Sequence, residues 1–187
     1  MSLRRTTVAM AILGFAVLTT TACTDQVGGQ ANPSTTSGTT APSTGTSNST
    51  TPLAGMSPCK TLDQALTGLA FPPATPSIAN EKQACSSQKI DSGTGKDVDV
   101  GLALQDGQRF DENITNPSKT STGSVGKRAA TEEREPQGSP GQCEIHIEVK
   151  PASRAIVLVS AGSDTENACK IAEDYAAKVE PLLPKNT

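Results

Sequence analysis

Hydrophobic positions change character twice along this chain. Val8 to Leu18 form an unbroken apolar run, residues 24–56 carry no apolar periodicity, and from Ser57 onward apolar residues recur at the spacings of helices and strands. Leu62, Ala65, Leu66 and Leu69 fall on one helical face behind a Thr61-Leu62-Asp63-Gln64 capping box. Gly68 and Phe71-Pro72-Pro73 stop that helix. Val98, Val100, Leu102 and Leu104 alternate with Asp97, Asp99, Gly101 and Ala103, the period of a half-buried strand. Cys143, Ile145, Ile147 and Val149 share one strand face, with Glu144, His146 and Glu148 on the other. The continuous run Ala155–Ala161 has the pattern of a central strand, and the Pro151-Ala152-Ser153 turn joins the two segments as a hairpin. That register sets the end of the second strand, near Ala161, beside Cys143.

A second capping box, Ser163-Asp164-Thr165-Glu166, opens a final helix. Its stripe is Ala168, Ile171, Ala172, Tyr175 and Val179, and Pro181 and Pro184 close it. Residues 106–126 read as a polar loop anchored by Phe110 and Ile114, with a short helix around Arg109–Ile114. Residues 127–133 read as a further strand, and Arg134–Gln142 as a loop. The predicted fold is α+β: an antiparallel sheet with the N-terminal and C-terminal helices packed on one face.

The first regime is an export signal. Arg4 and Arg5 give a positive start, the apolar run is too short to span a bilayer, and Thr20-Thr21-Ala22 are small residues before a cut. Cys23 then stands where a thiol takes an acylated glycerol; the alternative is an ordinary secretory signal. The expected organisation is a signal peptide over 1–22, a lipid-anchored Ser/Thr/Pro-rich linker over 23–56, and a folded domain over 57–187. A coil of the linker's length spans on the order of 30 Å. This places the domain on the outer face of the cytoplasmic membrane, held there by its lipid.

Composition sharpens this picture. Aromatic residues make up 2% of the chain and Trp is absent, so Val, Ile, Leu and Ala must build the core. Disulfides are the expected compensation in an exported domain. Five cysteines less Cys23 leave Cys59, Cys85, Cys143 and Cys169, which implies two bridges and three possible pairings. Cys59–Cys85 with Cys143–Cys169 is the favoured set, because Cys169 in the early turns of the last helix follows a hairpin that begins at Cys143. No C-x-x-C pair is present, which argues against zinc and thioredoxin-like chemistry at the cysteines. Loss of Arg4 and Arg5 with the signal leaves 14 basic against 19 acidic side chains, a formal net charge of −5. With no basic run, nucleic acid is not an expected partner, nor is polybasic docking on anionic lipid.

Candidate chemistry is sparse. His146 is the sole histidine, flanked on its strand face by Glu144 and Glu148. Neighbours on one strand face stand about 7 Å apart, too wide to hold a metal without help, so that face reads as solvated. Asp97 and Asp99 read as the wet side of their strand, and Asp63, Asp164 and Glu166 as helix starts. No Gly-x-Ser-x-Gly elbow occurs, and Gly93-Thr94-Gly95-Lys96 lacks Walker A spacing. No catalytic residue, cofactor or metal is expected.

Taken in order, Cys23, Cys59 opening a helix with Leu62, Cys85 before a strand, Cys143-Glu144-Ile145 opening the hairpin, and Ala168-Cys169-Lys170-Ile171-Ala172 on the last helix resemble a known pattern. It is that of the actinobacterial four-cysteine secreted lipoprotein family classed as domain of unknown function 3558, which includes mycobacterial Lpr-type lipoproteins. The resemblance covers about residues 57–183. Members often carry an aromatic two residues after the second cysteine, where this chain has Ser87. The family is similar, more remotely, to two-disulfide ectodomains of mycobacterial receptor kinases. The resemblance implies a non-enzymatic binding or sensing module of the cell envelope, with a small ligand or an envelope protein as partner. The alternatives are an accessory subunit of a signalling or secretion complex and, less favoured, a cell-envelope hydrolase.

Overall fold

The alternating segments pair into one seven-stranded antiparallel sheet. The structure is a computed structural model and describes residues 51–90 and 97–185. Its strands are β1 (Thr75–Pro76), β2 (Ala84–Lys89), β3 (Val98–Asp106), β4 (Thr120–Val125), β5 (Arg128–Arg134), β6 (Gln142–Lys150) and β7 (Ser153–Ser160), in the order β1-β2-β3-β7-β6-β5-β4. Two helices complete the body, α1 (Pro58–Ala65) and α2 (Thr165–Val179), with short 3-10 turns at Pro117–Lys119, Pro136–Gly138 and Glu180–Leu182.

The continuous apolar run becomes β7, the fourth of seven strands, as its composition predicts. Register then stacks like with like on one face: Val100, Val159 and Cys143 in one row, Leu102, Val157 and Ile145 in the next, Leu104, Ala155 and Ile147 in the third. These side chains are at most 5% exposed. The core is aliphatic throughout, as the scarcity of aromatics requires. Phe71 and Tyr175 sit at its margin, edge to face with ring centroids 5.9 Å apart.

The favoured cysteine pairing is the one the structure holds. Cys59 of α1 is bonded to Cys85 of β2, and Cys143 of β6 to Cys169 of α2, with Cα atoms 5.1 and 4.9 Å apart. Cys85 pairs with Leu102 and Cys143 with Val159, so both bridges leave the sheet from the same face.

Both helix starts differ from expectation. The N-cap of α1 is Ser57, with Pro58 at the first helical position, rather than Thr61, whose hydroxyl instead donates to the Ser57 carbonyl at 2.9 Å. The N-cap of α2 is Asp164, one residue beyond Ser163; its carboxylate accepts from the Asn167 amide at 3.1 Å. Asp164→Ala is expected to cost about 1 kcal/mol, read as a lowered urea midpoint at unchanged slope.

Other departures follow from weak local signals. Over residues 109–114 the chain makes a turn and a bend at 110–113, not a helix. β4 lies in the segment read as loop, because its sequence, Thr-Ser-Thr-Gly-Ser-Val, has almost no apolar face and only Val125 is even half-buried. Leu53, inside the segment read as linker, is 6% exposed, and its amide donates to Asp106 Oδ1. A single apolar residue gives periodicity nothing to detect. At the foot of β6, Gly141 has φ +76°, and a Cβ there would collide with the Gly162 carbonyl, so the entry to the hairpin and the entry to α2 touch backbone to backbone.

Candidate functional site

Two places hold polar groups in unusual surroundings, one on each face of the sheet. The first is a cleft of about 420 Å³, walled by Ser121–Gly126 along β4 and by Glu173 and Ala177 of α2. Ala130, Glu132 and Ile145 make its floor. β4 is an edge strand, so its outer amides and carbonyls carry no sheet partner, and its small side chains leave them reachable.

Glu132 gives the cleft its character. Burial raises its pKa above the ordinary value of 4.5; Arg134 opposes this, while a hydrogen bond and the charge of Glu173 add to it. A carboxyl whose pKa is raised on folding favours the native state below the unfolded value, and that contribution is lost as pH rises through the folded value. Glu132→Gln is therefore expected to raise the melting temperature at pH 7, with the gain disappearing below pH 4.5. Thermal melts across that range check it.

The second place corrects the reading of the Glu144–His146–Glu148 face as solvated. His146 is 1% exposed, and the segment between β3 and β4 covers it. Arg154 of β7 pins that segment: its guanidinium donates to Gln105 Oε1 at 2.8 Å, to Gln108 Oε1 at 2.7 Å, and to the Arg109 and Glu112 carbonyls. Glu133, fully buried, pins it from β5, its Oε1 accepting from the Thr115 amide at 2.9 Å, the Thr115 hydroxyl at 2.6 Å and the Asn116 amide at 2.6 Å. Phe110 and Ile114 are half-buried, consistent with their reading as anchors. Desolvation lowers the Arg154 pKa, against the pull of Glu144, Glu112 and Glu133.

Around His146 the cluster is built across strands rather than along one. His146 pairs with Thr131, and Glu144 with Glu133. The imidazole Nε2 lies 3.0 Å from Glu144 Oε2 and 3.4 Å from Glu133 Oε2. Glu133 thus takes the place expected of Glu148, which pairs with Arg154 beside a bulge in β6. Residues 127–133 were legible as a strand, but nothing in one strand's sequence says which neighbour it pairs with.

The remaining expected positions are quickly placed. Asp97 is exposed, but Asp99 is half-buried on β3 and burial raises its pKa. Ser87 is 4% exposed, and its hydroxyl donates to the Pro72 carbonyl at 2.6 Å. Cys23 and Gly93-Thr94-Gly95-Lys96 lie outside the described residues. Among the described residues no helix is long and apolar enough to cross a membrane.

Neither the curated proteins nor the solved structures contain a match to this sequence. A family model does match, over residues 18–182, a span that takes in the hairpin, both helices and all five cysteines. The chain belongs to the family described as Protein of unknown function (DUF3558).

Proposed function

We propose that this chain is a lipid-anchored binding module on the outer face of the cytoplasmic membrane, that both helices pack on one face of the sheet, and that the ligand seats in the cleft beside α2. The acid pair carries this reading. Glu132 and Glu173 both line the cleft, where burial first and the neighbouring Glu173 second raise the Glu132 pKa, a perturbation of the kind that gathers at binding sites. Two carboxylates, edge-strand carbonyls and hydroxyls suit a ligand rich in hydrogen-bond donors or positive charge, such as an amino-sugar or diamino-acid fragment of the cell wall.

The test is a panel of amino sugars, diamino acids and short peptidoglycan fragments, followed by backbone NMR. At least one is expected to shift amides of Ser121–Gly126 and to lose affinity with Glu173→Ala. No shift across the panel, or binding that survives both Glu132→Ala and Glu173→Ala, would overturn the reading. The anchor is tested separately: Cys23→Ser is expected to lose incorporated palmitate in intact cells and to release the chain from the membrane fraction.

A second reading, an accessory subunit, rests on β4 alone. Thr120–Ser124, all of β4 but Val125, are exposed, and an extended segment of an envelope protein could pair with that edge. Crosslinking from Thr122 in intact cells would yield a heteromeric adduct if so, and monomer alone if not.

A further inference from the structure

We propose that Glu133, Glu144 and His146 form a binding site for a divalent transition-metal ion, best suited to zinc, on the sheet face opposite the cleft. Buried polar atoms without a partner are the first reason. Among the described residues these are Thr131 Oγ1, Glu133 Oε2 and His146 Nε2, and all three belong to this one patch of β5 and β6. Orphaned groups gathered in one place point to a missing ion or water. The Nε2 to Glu144 Oε2 approach at 3.0 Å does not relieve His146, because it lacks hydrogen-bond geometry.

Spacing is the second reason. One ligand atom from each of the three residues lies within 4.8 Å of the others. Ligands about 2.0–2.1 Å from a tetrahedral zinc stand roughly 3.3 Å apart, close to the 3.0 and 3.4 Å separations that Nε2 makes with the two carboxylates. One imidazole and two carboxylates are a donor set that zinc accepts, with a fourth position left for water.

Support around the ligands is the third. The three donors on Glu133 Oε1 fix that carboxylate so that Oε2 faces His146, as outer partners orient metal ligands elsewhere. Glu144 keeps its side chain 21% exposed and so provides the entry from solvent. Arg154 Nη1 lies 3.4 Å from Nδ1 and can only donate, so an imidazole that accepts from it carries its proton on Nε2, on the side of the carboxylates. The ion would displace that proton to Nδ1 as the ring changes tautomer, and Arg154 Nη1 would give up its contact with that nitrogen. Arg154 would then be left with its amide and carbonyl acceptors.

Because His146 is the only histidine, the wild-type protein reports on itself. An untagged full-length chain, stripped with EDTA, is titrated with zinc chloride while imidazole nitrogen signals are followed by NMR, with magnesium chloride as control. Zinc is expected to move Nε2, to remain at one equivalent per chain after dialysis, and to raise the melting temperature; magnesium is expected to do none of these. Glu144→Gln, at a partly exposed position, is expected to weaken zinc binding by more than the roughly 10–100-fold typical of losing an outer partner. Imidazole signals unchanged at saturating zinc, or zinc retained equally by Glu144→Gln, would overturn the assignment.

Discussion

The Cys143→Ala, Cys169→Ala double variant is expected to unfold about 4.5 kcal/mol more easily than the parent, more than Cys59→Ala, Cys85→Ala. Both bridges join residues 26 apart in sequence, so loop entropy treats them alike. That contribution is about 3.5 kcal/mol for a loop of this size. Burial separates them. Cys143 is 0% and Cys169 3% exposed, packed among Val159, Ala168 and Ala172, whereas Cys59 is only half-buried at the start of α1. Removing two sulfurs from the inner site leaves a void that an aliphatic core with few large side chains cannot refill, which adds on the order of 1 kcal/mol. For a domain of this size the total is a drop of roughly 10–20 °C in melting temperature. Urea unfolding of both double variants, followed by circular dichroism, checks the order. Equal losses would mean that packing around Cys143 contributes nothing beyond the crosslink.

The same contrast between pattern and partner explains which parts of the fold were legible. β3, β6 and β7 announce themselves because each has a buried apolar face, and a period of two is visible wherever that is so. β2 and β4 have no such face: Ala84–Lys89 buries only Cys85 and Ser87, and β4 is exposed. They are strands because neighbours supply the hydrogen bonds, and a neighbour is not written in the strand. α1 hides its start for a related reason. Thr61 and Gln64 match a capping box, but Pro58 and Ser57 offer an earlier start that Thr61 then reinforces from inside.

The candidate sites divide likewise. The disulfides were readable because one hairpin and one helix bring Cys143 and Cys169 together by chain proximity. The His146 cluster was half readable: its face was identified, but its wetness was wrongly assumed. Alternation shows only that one face is apolar. It cannot show that Arg154 and Glu133 draw a polar segment over the other, since that depends on hydrogen bonds between residues 17 to 49 apart. The cleft was not readable at all, because its edge strand was not.

Glu133→Ala is expected to cost about 3–5 kcal/mol, comparable to the loss from breaking the buried disulfide. Its Oε1 is the shared acceptor of three donors from Thr115 and Asn116, and a hydrogen bond to a charged group contributes more than a neutral one. Alanine leaves those donors without their acceptor and strips a negative charge from beside buried Arg154 and His146. Glu133→Gln separates the two effects. Its amide oxygen still accepts, so the covering segment stays docked while the charge is gone, and the loss should be markedly smaller. Hydrogen exchange locates the damage: amides of residues 108–116 should lose protection in Glu133→Ala, while those of β7 change only with global stability. Arg154→Met, which releases the same segment from its other end, should give the same exchange pattern. If Glu133→Ala loosened β7 and the covering segment equally, the segment would be part of the cooperative core rather than a cover held by two buried charges.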